Sequence, residues 1–184
     1  MAELVQPPPG ARLVKEPADI REAWDRLAAA LQVHVDRGPC VLVGVLLGGM
    51  FPLVEIASRL RGDFEIDCCR LSRYGGGTTG GELRWLQAPR ADLAGRTALI
   101  VDDIYDEGKT LAELHAWCLG AGAADVRIAV LAHKRHGRPV AAVRPDYVGV
   151  EVGDEYVFGC GMDLDGRWRH LDSLYTLDHG VPGA

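Results

Sequence analysis

One stretch constrains this chain more than any other: Thr97-Ala98-Leu99-Ile100-Val101-Asp102-Asp103-Ile104-Tyr105-Asp106-Glu107-Gly108-Lys109-Thr110-Leu111. It opens with an unbroken apolar run, Ala98 to Val101. A strand with one wet face alternates apolar and polar residues, so an unbroken run predicts a strand covered on both faces, as in a parallel sheet flanked by helices. Asp102 and Asp103 stand at the carboxyl end of that run, a loop with Asp106, Glu107 and Gly108 follows, and a helix is predicted from about Thr110. In an open α/β sheet, ligands bind in the crevice beyond the carboxyl ends of the strands. A loop that feeds a helix N-terminus offers free backbone N–H groups and the positive end of a dipole, which suits a phosphate. The stretch therefore predicts a phosphate cradle with carboxylates Asp102, Asp103 and Asp106 beside it.

Gly108-Lys109-Thr110 has the tail of a P-loop, but that motif needs a glycine where Asp103 stands. A strand ending in paired aspartates also fits the first strand of a phosphorylation receiver, yet that strand lies near the start of its domain, and here about half the chain precedes it. The plain alternative is a buried strand ending in solvated acids. From Asp102 to Thr110 the order is acid-acid-apolar-x-Asp-x-Gly-x-Thr. It resembles the phosphoribosyl pyrophosphate (PRPP) motif of the type I phosphoribosyltransferases. The resemblance implies an α/β fold with a mostly parallel twisted sheet flanked by helices. It also implies one domain over residues 1–184, with a small hood subdomain formed by the chain ends and about residues 150–178 contributing to purine binding.

A length of 184 residues fits one domain with a substantial core. The net charge of −6 disfavours general nucleic-acid binding, including that of an RNA-binding regulator of the same fold, which needs a basic face. It also means that an anionic substrate must be held by local N–H donors, a few placed cations and Mg²⁺. The five cysteines are an odd number and show no C-x-x-C spacing; Cys68 and Cys69 are adjacent. With no basic patch leading into an apolar run, and no run of membrane-spanning length, reduced thiols in a cytoplasm are expected.

Pro7-Pro8-Pro9-Gly10 reads as a stiff lead, with about residues 1–10 flexible. Ile20, Trp24, Leu27, Ala28, Leu31 and Val35 recur at helical spacing, with Asp19 and Glu22 as a capping box and Gly38-Pro39 as the stop. His34 on that helix is expected to be structural. Cys40 to Leu46 reads as a second buried strand, and Leu47-Gly48-Gly49-Met50 turns into a helix from about Phe51 to Arg61. Phe64 to Tyr74 and Glu82 to Leu86 read as strands around the glycine-rich tract 75–81. That tract is expected to be a mobile lid that excludes water. A helix from about Thr110 to Leu119, a strand from Asp125 to Leu131 and a basic cluster of Lys134, Arg135, Arg138 and Arg144 follow; the cluster is either solvated surface or a set of cations near the ligand.

The resemblance is closest to bacterial hypoxanthine-guanine enzymes, and it assigns further residues. Ser72-Arg73-Tyr74 leads into the flexible catalytic loop, so Ser72 and Tyr74 join the substrate site. Gly48 and Gly49 hold pyrophosphate through main-chain amides; Leu47 departs from the basic or small polar residue that purine-salvage members carry. Tyr156 stacks on the purine and Val157 binds its edge through main-chain groups, Asp163 contacts Mg²⁺-bound substrate, and Arg169 holds pyrophosphate. Arg144, before Pro145-Asp146-Tyr147, stands where a lysine donates to the purine 6-oxo group. The amides of Glu107, Gly108, Lys109 and Thr110 and the Thr110 hydroxyl seat the 5′-phosphate, Ile104 belongs to the same substrate site, and Glu107 must point its acid away from the phosphate. Asp102, Asp103 and Asp163 are the expected Mg²⁺ ligands, and Asp106 the residue that manages the base proton. The implied reaction is hypoxanthine and/or guanine with PRPP to IMP or GMP and pyrophosphate; xanthine- or adenine-specific transfer is the alternative. Family habit implies a homodimer or homotetramer.

Overall fold

In the computed structural model of the chain, residues 6–74 and 82–177 are described. The predicted lid at 75–81 and the first residues of the predicted lead fall outside them. In chain order the elements are β1 (Ala11–Lys15), α1 (Pro17–Val35), β2 (Cys40–Val45), α2 (Met50–Ala57), β3 (Glu65–Tyr74), β4 (Glu82–Gln87), β5 (Thr97–Tyr105), α3 (Lys109–Gly120), β6 (Asp125–Lys134), β7 (Tyr147–Val152), β8 (Val157–Phe158) and β9 (Leu174–Leu177). The main sheet runs β4-β3-β2-β5-β6-β7, and a small second sheet runs β1-β9-β8.

β2 pairs in parallel with both β3 and β5, β5 with β6, and β6 with β7. Among the described strands of this sheet, β4 alone runs antiparallel, paired with β3. The chain leaves β2 for β3 on one side and returns as β5 on the other. The direction of winding therefore reverses between β2 and β5, and the loops after those two strands flank one crevice.

The unbroken apolar runs are explained by burial on both faces. Leu42, Leu99 and Val101 join Trp24, Leu27, Leu31 and Ile56 in the core under α1 and α2. Val41, Val43, Ala98 and Ile100 join Leu111, Leu114 and Cys118 under α3. Neighbouring residues along a strand point to opposite faces, so one run feeds two cores.

Several boundaries differ from the sequence-based ones. α1 starts at Pro17, and the capping pair is Glu16 with Asp19: the Glu16 N–H donates to Asp19 Oδ2 at 3.2 Å. Proline suits the first helical position because its missing N–H would lack a partner there anyway. α2 ends at Ala57, well short of Arg61. β5 continues past its apolar run, because Ile104 and Tyr105 still pair with Ala132 and His133. Asp102 and Asp103 are thus inside the strand rather than beyond it. β6 likewise runs on to Lys134, opposite Val152. The second sheet is built from both ends of the described chain and buries Phe158, Leu164 and Leu171 in a small core of its own.

Candidate active site

Beyond β5 lies a cavity of about 580 Å³ lined by Asp102, Asp103, Ile104, Asp106, Glu107, Gly108, Lys109, Thr110, Leu111, Tyr156 and Asp163. Of these, all but Leu111 are site residues named from the sequence.

The floor is the acid pair. The Asp103 N–H donates to Asp102 Oδ1 at 2.9 Å, and the Ile104 N–H to Asp103 Oδ1 at 2.7 Å. Burial, reinforced by the Asp103 charge, pushes the Asp102 carboxyl well above the usual range. Burial also raises Asp103, against the opposing pull of backbone N–H groups and the Arg169 guanidinium. Asp102, buried, and Asp103, half-buried beside it, form a hard oxygen donor set that a divalent cation would relieve.

The phosphate loop is shaped by Tyr105 and Gly108. Gly108 has φ +74° and a Cβ there would collide with the Tyr105 ring. Glycine meets both demands. Gly108 is also the N-cap of α3, with no side-chain cap, and the amides of Gly108, Lys109 and Thr110 donate to no backbone acceptor among the described residues. Those are the free donors a phosphate needs. Glu107 turns its carboxylate to Lys109, with Nζ at 2.7 Å from Oε2.

Across the crevice, the loop after β2 contains a cis peptide bond between Leu46 and Leu47. A Cβ at Gly48 would collide with the Asp103 carboxylate, so this loop packs directly on the acid pair. Gly49 departs from expectation: its N–H donates to the Val45 carbonyl at 2.8 Å and is used within the loop. The amides of Leu47 and Gly48 have no backbone acceptor among the described residues, which narrows the main-chain donors to those two.

The hood supplies Tyr156, whose hydroxyl donates to the Asp163 carbonyl at 2.8 Å. Val157 is buried in the core, leaving only its main chain to face a ligand. Asp163 Oδ1 is 2.6 Å from Arg169 Nη2, and Asp163 Oδ2 accepts the Gly166 N–H at 2.8 Å. Among the described residues, no three His, Cys, Asp or Glu side chains converge as a metal cage, so Asp102, Asp103 and Asp163 are not drawn together as one ligand set. Mg²⁺ commonly binds through one or two carboxylates, completed by phosphate oxygens and water, and the acid pair fits that pattern.

Two expected substrate residues, Arg144 and Ser72, do not line this cavity. Arg144 does not line the cavity: its guanidinium donates to the Tyr105 hydroxyl and to the Ala141 carbonyl, and its carbon is 5.8 Å from the centre of the Tyr105 ring. It buttresses the phosphate loop from behind. Ser72, on β3 opposite Arg84 of β4, is not among the lining residues, and the predicted role of the Tyr74 side chain lies outside what is described.

The cations that meet the site come instead from the end of β6 and the segment after it. Around Asp106 stand Arg138 Nη2 at 2.9 Å and His136 Nε2 at 2.8 Å, both from Oδ1, with Lys134 Nζ 3.7 Å from Oδ2. Partial burial alone would raise the Asp106 carboxyl, but the Arg138 hydrogen bond and the charges of Lys134 and Arg138 outweigh it and hold it below the usual range. Arg135, the fourth member of the basic cluster, turns outward to Glu151. Sequence reasoning misses His136. The one available signal is its place among four basic residues, and that gives no reason to pair it with Asp106.

A buried strand that ends in acids, a glycine-shaped phosphate loop and an aromatic hood define a class that handles phosphorylated sugars and flat bases. Residues 15–165 match the family model described as phosphoribosyl transferase domain. The chain belongs to the phosphoribosyltransferase family. It is 33% identical over 165 residues to a hypoxanthine-guanine phosphoribosyltransferase of Streptococcus pneumoniae, covering 89% of this chain and 91% of that one. It is 37% identical over 159 residues to the bifunctional protein TilS/HprT of Listeria innocua, of which it spans only 24%. Among solved structures, a hypoxanthine phosphoribosyltransferase of Staphylococcus aureus superposes with a TM-score of 0.84 at 28% identity, with 90% of each chain covered. A point mutant of the Trypanosoma cruzi hypoxanthine phosphoribosyltransferase, in a ternary complex with its substrates, gives 0.81 at 28% identity, covering 90% of this chain and 94% of that one.

Proposed function

We propose that the protein transfers the phosphoribosyl group of PRPP to a 6-oxopurine, hypoxanthine and/or guanine, releasing pyrophosphate. The observation that carries this reading is the junction of β5 and α3. Uncapped amides at Gly108 to Thr110 and the paired carboxyls of Asp102 and Asp103 line one cavity with Tyr156.

The 5′-phosphate binds the amides of Gly108, Lys109 and Thr110 and the Thr110 hydroxyl. Asp102 and Asp103 grip the ribose hydroxyls. These carboxylates, with Asp163 near by, would hold Mg²⁺, which would supply positive charge to the pyrophosphate oxygens. The Leu47 and Gly48 amides and the unused N–H groups of Arg169 receive pyrophosphate. As the bond from the anomeric carbon to pyrophosphate breaks, positive charge grows on the ribose ring, and the carboxylates beside it stabilise that charge. The purine, stacked on Tyr156, forms the new C–N bond. Its imidazole ring becomes positive until it sheds a proton. Asp106, held ionised by its cations, steadies that charge and takes the proton; such help typically gives roughly 10²–10⁴-fold.

We also assign the protein to a homodimer or homotetramer in a cytoplasm, as one domain. Leu47 in the loop before α2 and Met50 and Val54 on it, 46%, 42% and 62% exposed, are apolar side chains that a second copy would cover. Among the described residues, no helix is long and apolar enough to cross a membrane.

The test is to incubate the protein with PRPP, Mg²⁺ and, separately, hypoxanthine, guanine, xanthine, adenine and uracil, following nucleotide and pyrophosphate. Turnover of hypoxanthine or guanine is expected, with loss of activity on chelation of Mg²⁺. Turnover of another base alone, or of none, would overturn the proposal.

A further inference from the structure

His136 lies two residues beyond β6, and only 1% of its side chain is exposed. Its Nδ1 accepts the backbone N–H of Arg138 at 3.0 Å. A neutral imidazole accepts at one nitrogen and donates at the other, so this partner assigns the ring proton to Nε2. Nε2 lies 2.8 Å from Asp106 Oδ1, at an approach too bent for a hydrogen bond, and has no hydrogen-bond partner among the described residues. Such contacts are often loose in a ligand-free site and tighten when substrate loads.

The same oxygen receives Arg138 Nη2 at 2.9 Å, and the other arm of Arg138 is anchored on Asp154 at 2.6 Å. Asp106 Oδ2 has Lys134 at 3.7 Å, beyond hydrogen-bond length. The carboxylate is thus hydrogen-bonded at one oxygen, while the other is faced by the Lys134 charge without a hydrogen bond. We infer that His136 is a positioning residue for phosphoribosyl transfer, a donor that pins Asp106 Oδ1 so that Oδ2 meets the purine N–H. The inference rests on the proposed role of Asp106. The chemistry explains why an imidazole is suited to this place. A third full cation would make the carboxylate a still weaker proton acceptor, whereas a neutral N–H orients it with less penalty.

The experiment compares kcat and KM for PRPP and hypoxanthine in H136L, H136Q, D106N and H136L/D106N. PRPP binding is followed by calorimetry, and folding by thermal melt. Leucine fills the space without a donor; glutamine keeps an N–H within reach of Oδ1. H136L is expected to lower kcat roughly ten- to hundredfold with little change in KM for PRPP, since a misplaced catalytic group can cost about that much. H136Q should recover most of the loss, and the double variant should be no slower than D106N alone, because His136 acts only through Asp106. If H136L does not melt cooperatively, H136M, also without a donor, takes its place. Wild-type kcat in H136L beside a slow D106N would overturn this inference alone, as would H136Q as slow as H136L. Full activity in D106N would instead overturn the role of Asp106 itself, and this inference with it.

Discussion

Asp102 is kept at the floor of the site although it weakens the fold. It is 8% exposed, and burial together with the Asp103 charge drives its carboxyl well above the ordinary value. With the folded value raised, the folded state holds the proton more tightly than the unfolded state, so this group favours folding at low pH and loses that advantage as pH rises. Asn has nearly the same shape and no charge to bury. D102N should raise the melting temperature of the ligand-free protein near neutral pH, by about 2–4 °C per kcal/mol for a chain of this size, while lowering kcat/KM. Calorimetry and the transfer assay check the two halves separately. His34 behaves in the opposite sense. Its Nε2 lies 2.8 Å from the Tyr147 hydroxyl, and burial, aided by the Arg127 charge, lowers it from the ordinary 6.5. The unfolded chain then binds the proton more readily, so the contribution of His34 is full above pH 6.5 and declines as pH falls towards the lowered folded value. The gap in melting temperature between wild type and H34Q should therefore narrow as pH falls from 7 to about 5.

At the scale of elements, the turn from β5 into α3 is set by the ring of Tyr105, not by the turn residues alone. The ring is held by its own hydroxyl, which donates to the Val143 carbonyl at 3.0 Å, and by Arg144 stacked against it. G108A would place a methyl against this ring at a positive φ, a conformation that costs an L-residue roughly 1–2 kcal/mol before any collision. A lower melting temperature and a higher KM for PRPP are expected, with KM for hypoxanthine less affected. This junction also shows what the sequence carries and what it does not. The apolar run, the acids and the glycine are local signals, and they locate the crevice, the phosphate loop and the helix that follows. That β5 extends through Tyr105 is hidden, because Asp102 and Asp103 break the apolar pattern while the ladder to β6 continues. Arg144 is misplaced for a related reason: the phosphate loop is buttressed from behind by a segment far along the chain, and spacing holds no record of it. The pairing of His136 with Asp106 joins segments some thirty residues apart through one side-chain contact, which no periodicity reports.

At the scale of the whole molecule, the hood is tied together from distant parts of the chain. β1 pairs with β9 from Ala11 opposite Leu177 onwards, and β8 adds to the other side of β9. Strands this short carry little alternation of their own, so they are expected only through the family resemblance. The hood joins the main core through Val157, Cys160, Met162 and Leu174, and it meets the loop after β2 at one tight point. Gly161, at φ +108°, lies against the backbone carbonyl of Gly48, and a Cβ there would also come within 3.3 Å of Asp103 Cβ. There is no slack in that contact. A nucleotide that shifts the hood must press on the loop assigned to pyrophosphate, and the converse push is equal by thermodynamic reciprocity. The two products should not bind as strangers: the dissociation constant of pyrophosphate, titrated with and without saturating IMP, should differ, and IMP should report the same factor when the titration is reversed. In G161A, where the touching surfaces are forced apart, that shared factor should shrink towards unity.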